Sequence, residues 1–119
     1  SNYLRLYVDG TEVAASSGNG GGMTSSTEPI AIGANRESTG YSMRGYISNL
    51  RITVNQPVYT SSFTTPSAPL TMTSQSVTSS NVRLLCCQST DDVTDTEHIQ
   101  SGTLSTVGSP TASDENPFT

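Results

Sequence analysis

The chain has 119 residues, the size of one domain, and a net charge of −5. Its five arginines are scattered and lysine is absent, which excludes the clustered basic surface that displaces counterions from phosphate backbones. No apolar run approaches the ~18 residues that span a bilayer, so neither nucleic acid nor membrane is expected as a partner.

Serine and threonine supply 38 of the 119 residues and tryptophan is absent. Such a chain stays in solution through hydroxyls rather than charge. Threonine suits the half-exposed face of a strand and serine suits turns. The chain opens on Ser1-Asn2 with no initiator methionine or leader, and is expected to be a processed product or part of a longer polypeptide. No Asn-x-Ser/Thr sequon occurs, so nothing suggests glycosylation.

In chain order, Leu4, Leu6 and Val8 alternate with Tyr3, Arg5 and Tyr7. This period of two predicts a strand with one apolar face. Asp9-Gly10 signals a tight turn, and Thr11 to Ala15 is the return strand, so residues 1 to 15 are predicted as a β-hairpin. Ser16 to Gly22 is a glycine-rich loop that lacks the lysine and following helix of a phosphate cradle. Pro29 to Gly33 is predicted as a short strand with Ile30 and Ile32 on one face, and Asn35 to Gly40 as a polar loop.

Gly45 to Val54 is the second strong strand, carrying Ile47, Leu50, Ile52 and Val54. Its apolar phase breaks between Ile47 and Leu50, where a bulge at Ser48-Asn49 would restore one face. Prolines 57, 66 and 69 make Val58 to Leu70 irregular, with Tyr59, Phe63 and Leu70 as its anchors. Val82 to Cys87 is a third apolar strand. Weak strands are expected at His98-Ile99 and from Leu104 to Val107. No window has sustained helical periodicity, so the fold class is all-β, an antiparallel sandwich or jelly roll. The apolar faces of Tyr3–Val8 and Gly45–Val54 are expected to be buried between its two layers. Cys86 and Cys87, being adjacent in a strand, should point to opposite faces, and a bridge between neighbours would be a strained ring.

The ordered set of these segments resembles one family. Tyr3-Leu4-Arg5-Leu6-Tyr7-Val8-Asp9-Gly10, Pro29-Ile30-Ala31-Ile32-Gly33 and Gly45-Tyr46-Ile47-Ser48-Asn49-Leu50-Arg51-Ile52 are similar to successive strands of laminin-G-like, concanavalin-A-like domains. Val58 to Pro66 with Pro69-Leu70-Thr71, Leu84-Leu85 and Asn116-Pro117-Phe118 resemble the variant found in marine phage virion proteins. The resemblance covers the C-terminal half of such a jelly roll. It implies that the remaining strands come from an upstream segment or a neighbouring chain.

His98, the single histidine, sits in the polar stretch Asp91 to His98 with no nucleophile–acid set around it. The dense oxygens there would suit calcium, yet an EF-hand fails: from Asp91, the sixth position is Thr96 and the twelfth is Gly102. Asp95-Thr96-Glu97 has part of the alternate carboxylate spacing of a glucanase, but Val93 stands where a further acid belongs. No cofactor is expected. A sugar site needs an aromatic platform beside fixed polar groups, and Asn35, Arg36, Tyr41, Arg44 and Tyr46 form the candidate set, around a loop between two strands.

Two functional expectations stand side by side. The first is a non-enzymatic phage virion structural module (tail fibre, appendage or capsid decoration) at the virion surface, with copies of itself or other virion proteins as partners. The second is a lectin-like adhesion module for a host-surface glycan.

Overall fold

A computed structural model describes residues 4–17, 27–35 and 38–118, the side chains of 38 and 39 excepted. Tyr3, Arg36 and most of the predicted glycine-rich loop lie outside the described residues. The chain is all-β, with three small antiparallel sheets among the described residues. They comprise β1 (Leu4–Val8) with β2 (Thr11–Ser16), β3 (Ala34–Asn35) with β4 (Ser38–Ser42), and a three-stranded sheet in the order β5 (Leu50–Thr53), β6 (Val82–Cys86), β7 (Thr96–Ile99). The only helical pieces among the described residues are single 3-10 turns at Ser74–Ser76 and Ser79–Asn81. The chain divides into two compact units, one of residues 1–29 with 59–66 and one of residues 30–58 with 67–119.

The first unit is the predicted hairpin. Asp9 and Gly10 both have positive φ, 50° and 77°, the pairing that a tight two-residue hairpin turn requires. A register shift between Leu6 and Tyr7 leaves Val13 as the extra residue of a bulge. Tyr7 faces the segment that returns at residues 59–66. Tyr59 and Phe63 stack with centroids 3.4 Å apart, and both meet Tyr7 edge-on at 6.4 and 5.5 Å. The Phe63 N–H donates to the Gly10 carbonyl at 2.8 Å and the Glu12 N–H to Ser62 Oγ at 3.1 Å. Glu12 also accepts from Arg5 and, at 3.2 Å, from the Tyr7 hydroxyl.

The expectation that Leu4, Leu6 and Val8 are buried is overturned. They are 78, 57 and 52% exposed, and Val13 is 54% exposed. The alternation groups these side chains on one face, as read, but the covered face is the opposite one, where Tyr7 meets Tyr59 and Phe63. The aromatic pair offers the larger apolar contact area, and no second layer lies over the leucines among the described residues.

In the second unit β6 is the central strand. Val82, Leu85 and Cys86 are fully buried, and Val77 nearly so, with Val58, Leu70 and Met72 packed against them. Leu50 and Ile52 are half-buried, so the second predicted face is only partly covered. The ladder extends past the strands through Asn49 N–H to Cys87 O, Val54 N–H to Asn81 O and Gln100 N–H to Arg83 O, at 2.9, 2.9 and 3.0 Å.

Four predicted elements take a different form. Pro29 to Gly33 is not a strand: Gly33 has φ +74°, which turns the chain, and Ile30 is exposed. The predicted loop at Asn35 to Gly40 instead contains parts of β3 and β4, tied by a Met43 N–H bond to Gly33 O at 2.7 Å. The strand from Gly45 begins only at Leu50, and Asn49 takes left-handed backbone, φ +59°, where the sequence predicts a bulge. Leu104 to Val107 forms no strand.

Polar side chains fasten the connection from Leu70 to Asn81 to the sheet. The Arg51 guanidinium donates to Thr71 O, Ser74 O, Ser74 Oγ and Gln75 Oε1 at 2.7–3.1 Å. Gln56 donates to Ser76 O at 2.9 Å, and its Oε1 accepts from Thr78 N–H and Asn81 Nδ2. These bonds hold Gln75 and Ser76 in left-handed backbone, φ +58° and +59°, which costs non-glycine residues roughly 1–2 kcal/mol each.

Candidate functional site

The predicted sugar-binding set is spread over β3, β4 and the loop that follows. Asn35 pairs with Ser38 in the β3–β4 ladder. Tyr41 and Arg44 are exposed. Ile47 leans on this hairpin, its Cδ1 3.1 Å from where a Cβ on Gly33 would stand. Tyr46 is 70% exposed and lines an open groove of about 300 Å³ together with Ser48, Glu115, Asn116 and Pro117. Tyr46 is the member of the predicted set that lines this groove. Of its polar companions, Ser48 is local, while Glu115 and Asn116 come from about seventy residues further along the sequence. The Asn116 side chain there is committed to local turns, donating to Asp114 O at 3.0 Å and accepting from Phe118 N–H at 3.0 Å.

The arrangement offers a tyrosine ring, a carboxylate and an amide around a shallow recess. Sequence spacing missed Glu115 and Asn116, because nothing local links residue 46 to residues 115–117.

The acidic stretch is organised by its own backbone. Asp92 Oδ1 accepts from Thr94 N–H and Thr94 Oγ1, both at 2.8 Å, and these bonds hold its carboxyl below the usual range. Ser89 Oγ caps Asp91 and Asp92 at 3.2 and 3.0 Å. His98 sits half-buried in β7 opposite Leu85. Among the described residues no three His, Cys, Asp or Glu side chains are grouped to hold a metal ion, and no helix is long and apolar enough to cross a membrane.

The two cysteines depart from the sequence reading. Cys86 ends β6 in extended backbone, but Cys87 has φ +63°. That twist cancels the alternation of a strand, so both thiols turn the same way and their sulfurs lie 3.4 Å apart. Cys86 is buried, Cys87 is half-exposed, and both are free thiols. Burial, then the neighbouring Cys87, pushes the Cys86 thiol up to about 12.

No protein-family model, curated protein or solved structure matches this chain.

Proposed function

We propose that this chain is a non-enzymatic structural module of a virion surface that assembles with copies of itself through the uncovered face of its β1–β2 hairpin. One observation carries this reading: Leu4, Leu6 and Val8 lie bare on one face of a two-stranded sheet, and Val13 of the paired strand is exposed as well. A lone hairpin is marginal in water, and contiguous apolar patches mark interaction surfaces. The face is suited to meeting its own copy. The ionisable residues of the two strands, Arg5 and Glu12, are paired with each other on the opposite face, so closing two such faces together desolvates no charge. Each 100 Å² of apolar surface removed from water would contribute about 2.5 kcal/mol.

The virion assignment draws on the resemblance of the ordered strand motifs to laminin-G-like jelly rolls of phage particles. In this reading the strands are the C-terminal part of a jelly-roll sandwich, completed by strands of an adjoining segment or a neighbouring copy. Sedimentation velocity across a concentration series tests the assembly. The chain is expected to self-associate, and Leu6→Asp, a change on an exposed side chain, is expected to abolish association while leaving the far-ultraviolet spectrum unchanged. A chain that stays monomeric at every concentration overturns the proposal.

A second reading, carbohydrate binding, is favoured by the exposed Tyr46 ring beside Glu115 and Asn116. Saturable binding on a glycan array, lost in Tyr46→Ala, would support it. Equal binding by the variant would remove this site.

A further inference from the structure

We propose that Cys87 is a site of thiol–disulfide exchange with low-molecular-weight disulfides, and that Cys86 is its resolving thiol, closing the pair into a reversible disulfide between neighbours. The inference is independent of the assembly proposed above.

Three observations lead to it. The sulfurs are already in contact at 3.4 Å, although alternation along a strand would send them apart. The contact depends on a left-handed backbone at Cys87, φ +63°, a conformation that non-glycine residues rarely hold unless the surroundings impose it. Here the Cys87 carbonyl is held by the Asn49 N–H at 2.9 Å. The access is also divided. Cys87 is half-exposed and can be reached from solvent, whereas Cys86 is buried and can be reached only by its neighbour.

The Cys87 thiolate attacks one sulfur of an external disulfide RSSR. The S–S bond breaks, a Cys87 Sγ–SR bond forms, and RS⁻ leaves to take a proton from water. Cys86 then yields its proton to water, and its sulfur attacks Cys87 Sγ. The second RS⁻ departs and is protonated. The two cysteines lose two electrons and two protons, and RSSR becomes two RSH.

Two features set how the pair behaves. Burial keeps the Cys86 thiol protonated, up to about 12, so the resolving step is slow near neutrality and its rate rises about tenfold per pH unit as the thiolate fraction grows. Adjacent Cα atoms stand about 3.8 Å apart, closer than the ~4.4–6.8 Å of ordinary disulfides. The closed ring is therefore strained and easily reduced.

The test exposes the full chain to oxidised glutathione at near-neutral pH, then at a pH about two units higher, with intact mass and peptide mapping. The expected result is one glutathione on Cys87 near neutrality. On raising the pH this adduct converts about a hundredfold faster into a species lighter than the reduced chain by two hydrogens, which dithiothreitol reverses. Cys86→Ser should keep its adduct at the higher pH, and Cys87→Ser should take none. If Cys86→Ser does not fold, the pH dependence and the mapped position in the unaltered chain decide the matter. No adduct on the folded chain, an adduct on Cys86, a Cys87 adduct that never converts, or disulfides only between chains would each overturn the proposal.

Discussion

Gln88 Nε2 donates to Asn49 Oδ1 at 2.6 Å, joining the residue just after β6 and Cys87 to the residue that opens β5. The same Nε2 donates to Leu70 O at 2.7 Å, and Asn49 Oδ1 also accepts from Leu70 N–H at 3.0 Å. Asn49 thus does two things at once. Its short side chain closes this triangle, and its backbone adopts the left-handed turn, φ +59°, that starts the strand.

Asn49→Ala removes the acceptor and disfavours the turn, and should destabilise the chain by about 1–3 kcal/mol. Asn49→Gly keeps the turn and loses the same side-chain bonds, the acceptor and the donation to Ser48 Oγ, so its loss should be smaller. Urea midpoints of the two variants give the comparison. Equal losses would show that the backbone conformation contributes nothing.

Arg51→Met keeps the aliphatic stem and removes the guanidinium that brackets Thr71 to Gln75. Hydrogen bonds to a charged donor stabilise by about 1.5–3 kcal/mol. A loss of that size is expected in urea, together with faster amide exchange at Ser74, whose N–H bonds Thr71 Oγ1 at 3.0 Å within the bracketed turn.

Gly10→Ala tests the clamp on the hairpin. A Cβ there would collide with the Phe63 carbonyl oxygen, and Gly10 has φ +77° besides. The variant should lose about 1–3 kcal/mol. The near-ultraviolet circular dichroism of Tyr7 and Tyr59 should fall with it, because the ring cluster depends on the approach of Phe63.

Alkaline stability reads the Cys86 thiol. Its folded value is raised from 9.0 to about 12, so between those limits the unfolded chain sheds a proton that the folded chain keeps. Stability contributed by this group is complete below pH 9 and declines as pH rises towards 12. The melting temperature of the unaltered chain should fall more steeply through this window than that of Cys86→Ala. Contributions that the two chains share cancel in the difference. Parallel slopes would show that the thiol is not held protonated by folding.

Local chemistry made part of this architecture legible. Asp9-Gly10 signals its own turn, and Val82 to Cys86 is the central strand, its apolar side chains Val82, Leu85 and Cys86 buried while the Arg83 guanidinium donates to Ser80 O. What stayed hidden depends on distant partners. Alternation shows that Leu4, Leu6 and Val8 share a face, but not whether Tyr59 and Phe63 will cover the other one. The break between Ile47 and Leu50 was visible as a phase error, yet a bulge and a left-handed Asn49 produce the same pattern. The sulfur contact was invisible because a positive φ at a cysteine has no sequence signal. Glu115 and Asn116 could not be joined to Tyr46 without tertiary contacts, and the distribution of Asn35, Tyr41 and Arg44 away from that groove was equally out of reach.

The first unit is built from two stretches of chain, and this has a consequence for its birth on the ribosome. β1 and β2 are made roughly fifty residues before Phe63 arrives to bond Gly10. At ~5–20 residues per second the hairpin waits about 2–10 s with Tyr7 and the leucine face both wet. During that interval the nascent segment is at its stickiest, and polysomes crowd many such segments together. Pairing with a sister chain could therefore begin before either copy has left its ribosome.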